Sequence, residues 1–183
     1  NDGSRPAQIV FAPEGKAILV SDPETNSIAA YVIDERTGGA NLALVHSVHG
    51  GAGRTHMVTP WGMAFDSEGN LYTAEAAQGL ERASSVGIHQ VDEEDGQVTM
   101  EVSAPSIPLH QTMATALLVS KNRKYVSTAN AGSDTISTVP VRIRDDHALG
   151  FLPPQGGWVS TGQKPIALAA SRNDRFLYSL NIG

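Results

Sequence analysis

Apolar residues in this chain fall in short runs rather than in helical stripes. Ile9-Val10-Phe11 and Ile18-Leu19-Val20 are continuously apolar and are separated by a polar turn. Runs of that length, bounded by turn residues, predict strands covered on both faces. Only residues 74–84 have helix-friendly composition, and Gly79 interrupts them.

The pattern repeats. Pro6–Asp22, Pro60–Glu75, Ala114–Asn130 and Pro165–Asn181 each read as an apolar run, a polar turn, a second apolar run and a closing carboxylate or amide. They begin about 50 residues apart, the period of a propeller blade. Asn26–Asp34 and Asp134–Val141 continue alike, and the second repeat reaches the same element late, at Ser85–Asp92, after an insertion. A glycine-containing turn follows at Asp34–Gly39 and at Asp92–Gly96, then a last run such as Leu42–Val48.

Each complete unit therefore holds four short strands punctuated by Gly, Pro, Asn and Asp turns. The predicted fold is all-β, a β-propeller of four-stranded antiparallel blades. Blades are expected over approximately 6–59, 60–113 and 114–164, with an incomplete one over 165–183, about three and a half in one partial domain spanning 1–183. Closure commonly takes about four to eight blades, and raw sheet edges are avoided, so a fragment of a longer propeller is expected.

Composition narrows the function classes. The chain carries 13 Lys+Arg against 19 Asp+Glu, a formal charge of −6, and only 17% charged residues. Low charge and abundant β-branched residues exclude a disordered chain, and the acidic balance excludes nucleic-acid binding by bulk charge. The longest largely apolar stretch, Met113 to Val119, falls far short of the ~18 residues of a membrane span. Without cysteine there is no disulfide, iron–sulfur ligation or thiol catalysis.

Candidate chemistry follows from the blade topology. Connections between blades and the turns between second and third strands share one face, so residues 49–60, 104–114 and 156–165 join 22–27, 75–85 and 130–135 there. Arg54, His56, Glu75, Arg82 and His110 all belong to this face. His56 or Glu75 is a candidate base to activate water, and Arg54 with Arg82 a candidate clamp for an anionic substrate, with His110 beside them. The alternative is solvated loop residues with one structural ion pair. Trp61, at the mouth of an inner strand, is placed either to line a ligand channel or to pack in the core. Asp22, Asn130 and Asn181 read as strand-end residues that satisfy turn backbone.

Other patterns carry less. His46 and His49 lie three apart on a strand and so point to opposite faces, which reads as two exposed histidines rather than a metal pair. No other spacing resembles a zinc or calcium loop. Gly50, Gly51 and Gly53 precede strand signals rather than a helix, so no phosphate loop is expected. No Gly-x-Ser-x-Gly elbow is present. Asp92–Asp95 and Lys121–Lys124 read as solvated hairpin tips.

The repeats resemble the lactonase-type seven-bladed propellers, related to YVTN repeats. Val119-Ser-Lys-Asn-Arg-Lys-Tyr-Val-Ser-Thr-Ala-Asn130 and the run from Leu168 to Asn181 carry that resemblance across the chain. It implies a seven-bladed propeller that hydrolyses or forms a sugar-acid or related lactone without a redox cofactor, as 6-phosphogluconolactonases do. It equally admits a non-catalytic, ligand- or protein-binding propeller. Where related enzymes would carry inner-strand histidines, this chain has Gln8, Gly62, Thr115, Ala116 and Ala167, none of which can act as a base.

Overall fold

The computed structural model describes residues 3–48, 58–144, 147–151 and 157–183. Blade 1 comprises β1 (Gln8–Phe11), β2 (Ala17–Asp22), β3 (Ser27–Ile33) and β4 (Ala40–Ser47) in that spatial order. Blade 2 repeats the order with β5 (Pro60–Phe65), β6 (Asn70–Glu75), β7 (Ser85–Glu94) and β8 (Gln97–Pro108). Blade 3 has β9 (Ala114–Val119), β10 (Tyr125–Asn130) and β11 (Thr135–Arg144), and both β12 (His147–Phe151) and β13 (Trp158–Ser160) pair with β11. Blade 4 is the hairpin of β14 (Pro165–Ala170) and β15 (Leu177–Asn181). The inner strands β1, β5, β9 and β14 are successive neighbours. The fold is a partial β-propeller. In the helix-friendly insertion only Ala77–Gly79 forms a single 3-10 turn.

One turn joins the first two strands of every blade. A left-handed residue closes it, Gly15, Gly69, Arg123 or Asp174, at φ 73°, 85°, 62° and 54°. In three blades that residue's N–H donates to the carbonyl three residues back, as Arg123 does to Ser120 at 2.8 Å. These turns also link blades: Arg123 lies 3.4 Å from both Asp66 and Glu68 of blade 2. The Lys121 amide donates to Asp174 of blade 4 at 2.8 Å. Lys121–Lys124 is thus a solvent-exposed hairpin tip, as expected, that also clasps the neighbouring turns. Asp92, Glu93 and Glu94 lie inside β7, and only Asp95-Gly96 turns, with φ 49° and 74°. That left-handed pair matches the twist of the strands it joins.

Strands covered on both faces build two apolar seams. Leu19, Ile28 and Ala30 of blade 1 pack against Met63, Leu71, Val91 and Met100 of blade 2. The other face of blade 2 places Tyr72, Val86 and Ile88 against Ala114, Val126 and Val139 of blade 3. Burial of each large side chain stabilises by about 1.5–3 kcal/mol. Ile9 and Phe11 of blade 1, and Phe176, Tyr178 and Leu180 of blade 4, are exposed.

The inner strands share a second feature. Near the start of β5, β9 and β14 one extra residue interrupts the register, between Pro60 and Met63, at Thr115 and at Ile166. Such bulges redirect side chains. Trp61, Thr115 and Ile166 accordingly line one cavity of about 320 Å³ beside Gln8. Gly62 permits the close approach: a Cβ there would stand 2.9 Å from the Thr115 carbonyl oxygen.

Candidate functional site

Loop positions are set by clasps between blades. Thr59, Met113 and Lys164, each just before an inner strand, are left-handed at φ 51°, 54° and 50°. A non-glycine residue held there costs on the order of 1–3 kcal/mol and needs external support. Asn26 provides it for Thr59, accepting its amide at 2.7 Å and donating to the Val48 carbonyl at 2.6 Å. Asp134 accepts the Lys164 amide at 2.8 Å. In blade 2 the insertion takes over, and Ser84 Oγ accepts the Ala114 amide at 3.0 Å.

Three locations hold the described candidate residues. Arg82 and His110 meet in one cavity of about 600 Å³, between the end of β8 and the β11–β13 pair. Both are exposed, and both are left-handed at φ 55°. Trp61 is partly exposed on the central cavity rather than packed in a core. Glu75 lies in the seam with blade 1, only 1% exposed. Its carboxylate accepts from Ser85 Oγ, from Ser106 Oγ at 2.9 Å and from Thr73 Oγ1 at 3.4 Å. Arg54, His56 and His49 lie outside the described residues.

Gly87 makes room for that carboxylate. A Cβ at Gly87 would stand 2.4 Å from Glu75 Oε1 and 2.7 Å from Thr73 Oγ1. Two residues further along β7, His89 is 2% exposed and its Nε2 lies 3.4 Å from Thr73 Oγ1. Burial, with the His46 imidazole beside it, pushes the His89 pKa down to about 4. His46 packs edge-on against it, ring centroids 5.7 Å apart. His46 is therefore half-buried against the next blade rather than a solvent-exposed histidine.

The strand-end residues divide. Asp22 does satisfy turn backbone, accepting the amides of Glu24 and Thr25 at 3.0 and 3.2 Å. Burial pushes its carboxyl up, but the Ser4 hydroxyl and the amides of Thr25, Arg5 and Glu24 outweigh this and hold it below the usual carboxylate range. Asn130 instead spans the sheet sideways. Its Nδ2 donates to Thr135 Oγ1 at 3.1 Å and to Ser137 Oγ at 2.9 Å. Among the described residues no group of three or more His, Asp or Glu side chains is arranged to hold a metal.

The blades and their loop face define a β-propeller. Its architecture is shared with solved lactonase-like structures. A periplasmic gluconolactonase of Pseudomonas aeruginosa superposes with a TM-score of 0.70 at 15% identity, over 100% of this chain and 44% of that one. A 6-phosphogluconolactonase-like protein of Bacteroides uniformis gives 0.71 at 15%, over 98% and 45%. Its counterpart from Bacteroides fragilis gives 0.69 at 15%, over 98% and 43%. The chain thus spans less than half the length of these structures, and the likeness is one of fold. No protein-family model matches the sequence, and no curated protein matches it.

Proposed function

We propose that the chain is part of a seven-bladed lactonase-like propeller that hydrolyses or forms a sugar-acid or related lactone without a redox cofactor. The observation carrying this reading is the meeting of Arg82 and His110 on one loop-end cavity of a lactonase-like fold. Hydrolysis needs a base that takes a proton from water as its oxygen attacks the carbonyl carbon, and donors for the anionic end of the substrate. His56 is the base in this reading. Arg54 and Arg82 hold the anionic group, with His110 and Trp61 as further substrate contacts. Glu75, the other candidate base, is enclosed by three hydroxyls and acts as a base only if that enclosure opens.

The test is lactone hydrolysis by the full-length protein and its Arg54→Ala, His56→Ala, Glu75→Gln and Arg82→Ala variants. Loss of turnover in His56→Ala is expected, and unchanged rates in all four would remove the site. A non-catalytic, ligand- or protein-binding propeller is the second reading. It is favoured by a central cavity whose lining among the described residues, including Gln8, Trp61, Thr115 and Ile166, contains no titratable side chain. No turnover of any lactone by well-folded protein would decide for it.

A further inference from the structure

The cavity that receives Arg82 and His110 lies away from the inner strands, in the seam between blades 2 and 3, and its walls are specifically built. Gly157 is pressed onto β11: a Cβ there would lie 2.4 Å from the Thr138 carbonyl oxygen, and the Thr138 amide donates to Gly157 at 2.8 Å. This places Trp158 opposite Ser137 in the sheet, its side chain on the cavity and 55% exposed.

On the facing wall, the segments carrying Arg82 and His110 are tied together. The Arg82 amide donates to Thr112 Oγ1 at 3.0 Å. The Leu109 amide donates to the Ser84 carbonyl at 2.9 Å, and the Ser84 amide to the Gln111 carbonyl at 3.0 Å. Two side chains able to carry positive charge are therefore presented from a braced, left-handed backbone. Pre-ordered groups lose less entropy when a ligand arrives.

The polar groups of this cavity ask for an acceptor. Gln111 is 8% exposed, and its Oε1 already accepts from Thr135 Oγ1 at 2.8 Å, which leaves its amide hydrogens to donate. Ser137 Oγ accepts from Asn130 and keeps its own hydrogen to donate. Among the described residues, neither Asp nor Glu lines the cavity. The apolar part is Trp158, Val139 and Leu109. A volume of about 600 Å³ suits a small molecule.

We infer that this cavity is a binding site for a small carboxylate bearing a planar ring, with the ring on Trp158 and the carboxylate at Arg82 and His110. The assignment rests on the reading above that Arg82 and His110 contact an anionic group, and its test does not require lactone turnover.

Benzoate is the probe, with acetate lacking the ring and benzyl alcohol lacking the charge. In full-length protein, the emission difference between Trp61→Phe and Trp61→Phe/Trp158→Phe isolates Trp158 and reports the site. Benzoate is expected to change that emission saturably, with acetate and benzyl alcohol roughly tenfold weaker or worse. Arg82→Ala should weaken benzoate by roughly tenfold at unchanged circular dichroism and Tm, and Arg82→Lys by less. Calorimetric titration of benzoate into the wild type, Arg82→Ala and Trp158→Ala gives the same discrimination should Trp61→Phe fold poorly. No saturable binding, equal affinity in Arg82→Ala, or equal affinity for benzyl alcohol would overturn the assignment. Benzoate binding without lactone turnover supports the site and removes the reaction. Turnover without benzoate binding removes the site and leaves the reaction standing.

Discussion

At the loop end of the seam between blades 1 and 2, Glu75 faces Ser85 across the sheet. At the corresponding place in the next seam, Asn130 faces Thr135. The neighbouring cross-strand pairs are Thr73 with Gly87 and Thr128 with Ser137. Glu75 is one methylene longer than Asn130, and the Cβ that would crowd its carboxylate is missing at Gly87, opposite Thr73. It also draws in Ser106 from β8 as a further donor. The first seam is sealed around a carboxylate and a neutral histidine, and the second is held by amides and hydroxyls and opens onto the ligand-sized cavity. A buried carboxylate demands more donors and more room than an amide. The same repeat position therefore yields a closed joint in one seam and an open one in the next.

The largest effect should come from removing the demanding group. Glu75→Ala removes the carboxylate that accepts from two buried hydroxyls, Thr73 and Ser85, and from half-buried Ser106, and should cost about 4 kcal/mol in urea unfolding, against about 2 kcal/mol for Asn130→Ala. Equal costs would break the contrast between the seams. The variant also separates structure from catalysis, because a Glu75 that served only as a base would lose turnover without losing stability.

Acid should open the sealed seam first. His89, faced by His46 from β4 and by Thr73 from β6, has its folded pKa depressed to about 4 from an ordinary 6.5. The unfolded chain therefore binds the proton more readily, so stability is full above pH 6.5 and falls through the window down to pH 4. The loss attributable to His89 is about 3 kcal/mol across that window. Urea midpoints for the wild type and His89→Leu between pH 7 and pH 4 should converge as the pH drops, and parallel curves would remove His89 from the account.

A smaller effect tests the packing rule itself. Gly87→Ser should destabilise by about 2 kcal/mol, because the new side chain displaces the Glu75 carboxylate. In a Glu75→Asn background, which reproduces the blade 3 pairing, that cost should fall by at least half. An unchanged cost would show that the missing Cβ serves something other than the carboxylate.

Much of this architecture is legible in the repeats. The two inner strands of every blade, the closing polar residue and the late third strand of blade 2 follow from apolar runs and turn residues. The meeting of Arg82 and His110 was also accessible, since both lie on connections that share one face. What stayed hidden depends on partners far apart in sequence. The enclosure of Glu75 needs Ser106 from the fourth strand, and His46 finds a neighbour, His89, in the next blade. The link made by the solvated Lys121–Lys124 turn stayed hidden because Asp66, its acceptor through Arg123, belongs to another repeat. Trp158 gave no signal of its cavity, since the cavity is set by how Gly157 meets Thr138.

The extra residue near the start of three inner strands separates two duties that a strand residue ordinarily combines. Trp61, Thr115 and Ile166 stand where the register skips, so the neighbouring strand has no matched position that constrains them. Substitution at these sites can redraw the wall of the central cavity while the flanking pairs keep their alignment. The scaffold thus carries a set of variable letters inside an otherwise fixed word, through which one architecture can acquire new specificities without being refolded.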